Sequence, residues 1–341
     1  MQTHRALSLI ALSLIVFSLA YGEAPPPPPE ETYDGLDNDL DGEIDEDLTR
    51  PCASPCASGT EACAAGQWLT CSARPCCDIT LGPDAGPVSL CPAAETPAAV
   101  VCLAPGNYFV PAGCQVRASL VGTGDPAATI IEGDLSLNGG PVRIQGVTVT
   151  GLLHSERPLD LLENRLLGGA SLHNIEDEFF GDALLQVSHN EVGRSLTVAF
   201  PSFVHANDIT GEVYGLGLGQ DSSSFHAATG NHIRGTGDLG IQAGNLIATY
   251  LARNLIEGFD VGISINALGF VIVGNRIVAR TTGIDGRLLG SGSASVLRND
   301  IVYAGGLGIS LRSDLSRIEG NQVVRDPEGS GGDGIQISLD A

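Results

Sequence analysis

Two groups of residues in this chain have the types and spacing to do chemistry. The first is acidic and runs from Asp34 to Asp47. Within it Asp37, Asp39, Asp41 and Gly42 fall at positions 1, 3, 5 and 6 of a calcium loop, where alternate carboxylates converge on one hard cation and glycine makes the turn. Asp34, Glu43 and Asp45 are further oxygen donors. Position 12 is Leu48, so the usual closing carboxylate is missing. The pattern predicts bound Ca2+; the competing reading is a solvated acidic linker. The second group is Asp238 and Asp260, each two residues before the glycine of a repeated Gly-Ile phrase, with Arg234, Glu257 and His232 on the segments that precede it. If the repeats stack, the two aspartates lie ~5 Å apart. Such a pair raises one carboxyl pKa or recruits a cation, which suits a retaining glycosidase or a calcium site for an acidic sugar. The competing reading is two solvated aspartates at a turn. The histidines have no serine or cysteine partner at a recognisable spacing.

The repeats must position these groups. A phrase containing asparagine recurs at Asn231, Asn254, Asn275, Asn299 and Asn321, at spacings of 23, 21, 24 and 22 residues. Gly240-Ile241, Gly262-Ile263, Gly283-Ile284, Gly308-Ile309 and Gly334-Ile335 follow in step. Ile233, Ile256, Ile277, Ile301 and Val323 are apolar two residues after each asparagine. Leu251, Ile272, Val296 and Ile318 are apolar three residues before the later ones. Alternation within a period of about 22 residues leaves room for three short strands and no helix. The expected fold is all-β: a right-handed, single-stranded parallel β-helix of about ten coils over residues 99–341, roughly 50 Å long, behind a small Cys-rich, calcium-loop segment. Asn164, Asn190 and Asn207 continue the asparagine column at looser spacing. The asparagines are expected to hydrogen-bond coil to coil and to tolerate left-handed backbone, and the glycines to take positive φ at other corners. The segment 174–180 reads as a surface excursion.

These repeats resemble those of right-handed parallel β-helix proteins, the fold of pectate lyases and their relatives; Val101 to Tyr108, Leu120 to Gly124 and Ala128 to Gly133 look like opening coils of that fold. The resemblance implies a polysaccharide lyase or glycoside hydrolase as one possibility. The N-T-D, G-H-G and R-I-K sets of polygalacturonases are missing, and the chain has no lysine to act as a lyase base, although Arg234 or Arg276 could serve. The acidic stretch resembles the metal-binding motif of many secreted bacterial proteins, with Tyr33 and Leu40 where that motif has cysteines. The run Cys56, Gly59, Cys63, Gly66, Trp68 and Cys71 resembles the cysteine pattern that often accompanies it.

Residues 1–22 read as a secretory signal peptide, with an apolar run from Ala6 to Ala20 too short to span a bilayer. A Pro-rich linker follows at 23–31, then the acidic motif at 32–50 and a Cys-rich module at 51–98. All nine cysteines lie between Cys52 and Cys114: Cys52, Cys56, Cys63, Cys71, Cys76, Cys77, Cys91, Cys102 and Cys114. In an exported chain this predicts disulfides rather than a zinc site, with one thiol left over or tied up at Cys76 and Cys77, and with Cys102 and Cys114 bracketing the first coils as a clamp. A net charge of −23 offers no basic face for nucleic acid or anionic lipid. The expected protein is therefore secreted or on the cell surface, calcium-associated, and binding or structural toward a polysaccharide or other surface polymer. Its last coil is expected to be open and to be covered by another chain or by further sequence.

Overall fold

The computed structural model describes residues 32–33, 45 and 48–338, apart from 65–66, 83–87, 92, 98, 138–141, 174–184, 220–224, 291, 314–315 and 330–331. The expected excursion at 174–180 and most of the acidic loop, Asp34, Asp37, Asp39, Asp41 and Glu43 included, lie outside these residues.

The period-two pattern becomes a parallel β-solenoid of three sheets, to which each coil from Ser119 onward contributes one strand apiece and the two coils before it only to the first two sheets. The first sheet has 12 strands, from Ile79–Leu81 to Ser316–Glu319. The second also has 12, from Val88–Ser89 to Gln322–Arg325, and the third has 10, from Leu135–Leu137 to Ile335–Ser338. One coil is Ala248–Ala252, Leu255–Glu257 and Val261–Ala267. The parallel ladder already includes Ile79–Leu81, which pairs with Val101–Leu103, so the solenoid starts about twenty residues before the expected Ala99. The irregular early coils lack the asparagine phrase that marked the later ones.

Ile233, Ile256, Ile277 and Ile301 stack in register with no exposed surface, and Val323 extends the column as a partly buried member. Leu251, Ile272 and Val296 do the same in the first sheet, and Ile241, Ile263, Ile284 and Ile309 in the third. Each inward side chain contacts its equivalents above and below. That burial contributes on the order of 2 kcal/mol per residue and is available only in the stack.

The corner between the first and second sheets is held by the asparagine ladder. Asn164, Asn190, Asn207, Asn231, Asn254, Asn275 and Asn299 each donate a backbone N–H to the side-chain Oδ1 of the asparagine one coil on, at 2.9–3.0 Å. Their side-chain Nδ2 groups donate to the same oxygen. Each Nδ2 also donates to a carbonyl of the coil before it, as Asn275 does to Leu251 and Asn299 to Ile272. The asparagines do not themselves carry the left-handed backbone expected of them. Positive φ falls on the residue just before: Glu163, His189, Ala206, Gly230, Arg253, Gly274, Arg298 and Gly320, between 51° and 66°. Five of these are not glycine, at a cost of about 1–2 kcal/mol each. The ladder holds them there, because the turn that aims each asparagine into the stack requires that conformation.

The glycines of the Gly-Ile phrase also have a different role from the one expected. None of Gly240, Gly262, Gly283, Gly308 and Gly334 has positive φ. A Cβ on Gly262 would run into Ile277 Cγ2, and one on Gly240 or Gly283 into Ile256 or Ile301. Glycine lets the isoleucine of the next coil close on the backbone.

The Cys-rich segment forms a hairpin, Thr49–Ser54 with Ala57–Ala64, extended by Gln67–Trp68. Disulfides join Cys52 to Cys71, Cys56 to Cys76, Cys77 to Cys102 and Cys91 to Cys114, and Cys63 is a buried free thiol. Cys102 and Cys114 thus do not clamp each other; each ties an early coil to the segment before it. Adjacent Cys76 and Cys77 take different partners. The hairpin lies on the outer face of the first sheet. Leu69 packs on Phe203 and Ala227, Thr70 N donates to Gln186 Oε1, and Gln145 Nε2 donates to the Ser72 carbonyl.

Asn275→Ala should leave the buried Asn254 N–H without its acceptor and lower stability by about 2–4 kcal/mol. Gly262→Ala should cost about 1–3 kcal/mol by overpacking against Ile277. Urea-denaturation midpoints of the two variants check both.

Candidate functional site

The outward column of the second sheet reads Arg165, Glu191, Asp208, His232 and Leu255 in register. Its charges interlock along the stack. Arg165 Nε donates to Glu191 Oε2 at 2.7 Å, which raises the Arg165 pKa and lowers that of Glu191. Arg234 binds Asp208 at 3.0 Å, so it pairs with the coil before it. Glu257 meets His232 Nε2 at 3.4 Å, while His232 Nδ1 lies 3.8 Å from Asp208 Oδ1. The imidazole therefore sits between two carboxylates. Asp208 stands one residue after Asn207, the same offset that His232 has from Asn231. These groups are a third or more exposed, so each pair contributes at most about 1 kcal/mol.

Asp238 and Asp260 are placed on adjacent coils as expected, with Leu239 opposite Val261 and Val261 N donating to the Asp238 carbonyl. The Asp260 carboxylate is held by Arg280 Nε at 2.9 Å. Arg280 also donates from its Nη2 to the carbonyls of Thr236 and Gly237, at 2.7 and 2.8 Å. One guanidinium thus joins three coils at this corner. Arg280 stands outside the repeated phrases, so no periodic signal marks it as the cation of this aspartate. The Asp260 carboxylate is thus part of a coil-to-coil staple.

Two further titratable groups are deeply placed. His226 is fully buried on the inner side of the first sheet, where its Nδ1 meets Ser202 Oγ at 2.9 Å. Burial penalises the imidazolium and lowers its pKa to about 4. This serine–histidine contact is in the solenoid interior, out of reach of a polymer. Asp160 lies under the Cys-rich hairpin; burial raises its pKa, opposed by Arg143 at 3.6 Å and by the backbone N–H of Gln186. Arg143 Nη1 also donates to the carbonyls of Cys71 and Ala73, so the pair is part of the docking surface.

The acidic loop is held at both ends by that hairpin. Tyr33 packs against Trp68 with ring centroids 5.1 Å apart, and the Arg50 guanidinium lies over the Trp68 ring, 4.3 Å from its centroid. Cys63 N donates to the carbonyl of Leu48. Asp45 is buried, with φ 52°. Tyr33, which stands where the resembled motif has a cysteine, therefore makes an aromatic contact instead. Trp68 Nε1 is buried without a hydrogen-bond partner among the described residues. The described groups with metal-ligand proximity, Cys52–Glu61–Cys71 and Cys91–Glu95–Cys114, each rest on a disulfide, whose sulfurs are not thiolate ligands.

The third sheet presents the remaining face. Its central outward column runs Ser136, His154, Ser171, Thr197, Gly217, Gln242, Ser264, Asp285, Ser310, Gln336, one group per coil. Nine of the ten carry a polar side chain and Gly217 has none, and the hairpin contacts described above fall on the first sheet instead. No model of a known protein family matches the chain, and no curated protein matches its sequence.

Because the folded state rejects the proton that unfolded His226 accepts, this group contributes stability that is complete above about pH 6.5 and lost as pH falls toward about 4. His226→Gln should remove that part of the acid sensitivity. Urea unfolding at pH 7 and pH 4.5 should show the wild type losing about 2–3 kcal/mol more than the variant.

Proposed function

We infer that this is an exported, calcium-associated β-solenoid of right-handed winding that binds a polysaccharide or other extracellular polymer on the face of the third sheet. The observation that carries the reading is the register of that face: one aligned outward position per coil along ten strands, polar in nine of them. A linear polymer lying along the stack meets the same kind of hydrogen-bonding group at each step of ~4.8 Å. The other faces are engaged, one by the Cys-rich hairpin and the other by interlocked charges.

Four disulfides favour an oxidising compartment and agree with the expected signal peptide. Calcium would be held by carboxylates of Asp34, Asp37, Asp39, Asp41, Glu43 and Asp45. The anchored ends of that loop and the buried Asp45 fit such a site, since a loop fixed at both ends loses less entropy when it closes on a cation. The cation would neutralise the densest negative charge in the chain. The alternative, a pectate-lyase-like enzyme centred on Asp238 and Asp260, is weakened by the Arg280 staple.

Trp68 is the chain's one tryptophan and touches the residue that opens the loop, so it reports on that loop. Calcium should change its fluorescence saturably, and Asp37→Ala or Asp39→Ala should weaken the response by about tenfold or more. An unchanged spectrum at millimolar calcium would count against the cation. On immobilised neutral and acidic polysaccharides, the protein should be retained without releasing reducing ends or unsaturated products. Release of either product would select the enzyme.

A further inference from the structure

The third-sheet strands Leu239–Leu246, Val261–Ala267 and Thr282–Leu288 lie on consecutive coils and are longer than the others of that sheet. Beside the central column they carry a second outward row, Gly244, Asn266 and Arg287, in register. Gly244 differs from the glycines of the Gly-Ile phrase. A Cβ on Gly240 or Gly262 would collide with an isoleucine of the next coil, whereas one on Gly244 would meet nothing within 4 Å, and the backbone there is not left-handed. The pairing does slip between Gly244 and Leu246, but a bulge calls for glycine only where its first residue is left-handed. Neither packing nor conformation within the chain therefore requires glycine here. A glycine inside a strand forfeits packing, and one reason to keep it is the close approach of a ligand to the backbone.

Asn266, the register partner of Gly244, gives a second and independent sign. Its Oδ1 is buried and accepts no hydrogen bond among the described residues, although the residue as a whole is partly exposed. In the corner ladder, by contrast, the Asn275 Oδ1 accepts two. A buried acceptor without a donor is a standing cost. Half a turn of the amide exchanges Oδ1 with Nδ2 and presents the acceptor to a donor arriving over Gly244. Beyond the same strands, Ile247 and Leu268 are 51% and 44% exposed, and Leu268 N donates to the Leu246 carbonyl, so two aliphatic residues stand on adjacent coils at the edge of the row.

We propose that Gly244, Asn266 and Arg287, with Gln242 and Ser264 beside them, form the subsite at which an uncharged, hydroxyl-rich sugar unit of the polymer is recognised. A pyranose has a rim of hydroxyls and faces of C–H groups. One hydroxyl donates to Asn266 Oδ1 and a neighbouring oxygen accepts from Arg287, one coil on, while a C–H face lies over the bare backbone of Gly244 toward Ile247 and Leu268. Gly217, one coil before Gln242, leaves the approach shallow. Asp285 follows Ser264 in the central column, and with the net charge of −23 it opposes a polymer carrying carboxylates or sulfates. This inference rests on the reading of the third sheet as a polymer face and narrows it to one place and to the neutral class.

Native electrophoresis of the full chain through gels containing hydroxyethylcellulose, a neutral glucan, or polygalacturonate, a polyuronate, tests it. The wild type should be retarded by the glucan and far less by the polyuronate. Gly244→Val fills the unoccupied volume and Asn266→Ala removes the acceptor; each should weaken retardation by about tenfold or more. Neither should lower the melting temperature, since no contact within the chain is lost. A lower melting temperature in Gly244→Val would make the glycine structural and overturn the subsite. Retardation of both variants equal to that of the wild type, or equal weakening by Ser171→Val three coils away, would overturn the subsite and leave the polymer face standing. Stronger retardation by polygalacturonate would overturn the neutral class. A wild type retarded by neither polymer would overturn the polymer face itself, and the subsite with it.

Discussion

The structure depends on the hydrogen bonds that each corner asparagine makes with the next. A parallel coil must turn its backbone sharply, and a buried turn exposes N–H and C=O groups that no water reaches. The asparagine side chain supplies one acceptor and two donors to those groups, in the geometry of the coil above or below. Because the acceptor belongs to a different coil from the donors, no coil satisfies its corner alone. The same dependence explains the backbone strain. Glu163, His189, Ala206, Arg253 and Arg298 all adopt left-handed conformations, and the residue types chosen there are unfavourable ones. Their cost is tolerated because the ladder and the inward columns share one register.

That register then decides what each face can do. With the apolar columns inward, outward positions fall into straight rows with one residue per coil, and each face acquires a character from its row. The first sheet accepts the Cys-rich hairpin through Gln145, Gln186 and Phe203. On the second, opposite charges interlock between coils. Along the third, polar side chains recur in one column, with Gly217 the exception. The hairpin in turn contacts Tyr33 through Trp68 and the Leu48 carbonyl through Cys63 N, residues that flank the acidic stretch in sequence.

The inward columns and the asparagine ladder were legible in the sequence because a solenoid repeats the same environment at each coil, and identical environments select identical residues. Ile256, Ile277 and Asn275 could be placed from spacing alone. What spacing cannot carry is the reason for a residue. The glycines of the Gly-Ile phrase were expected at positive φ, yet Gly262 is there because Ile277 occupies the volume its side chain would need. Left-handed backbone was assigned to the asparagines when it belongs to their predecessors. Contacts made once in the chain were hidden for a different reason: the Arg280 staple on Asp260, the pairing of Arg234 with Asp208, the lateral docking of the hairpin and the partners of Cys102 and Cys114 leave no periodic trace. They are the contacts that decide how the candidate residues read. Asp260 proves to have an arginine of its own beside it.

The measurement closest to the central claim is amide hydrogen exchange at the corner. If the ladder closes the stack, the backbone N–H groups of Asn190, Asn207, Asn231, Asn254 and Asn275, all bonded to side-chain oxygens of the next coil, should be as protected as the central strands. They should then exchange only when coils separate. Exchange at those amides at the rate of exposed loop positions, with the strands on either side still protected, would contradict the account and leave the inward apolar columns as the sole support of the fold.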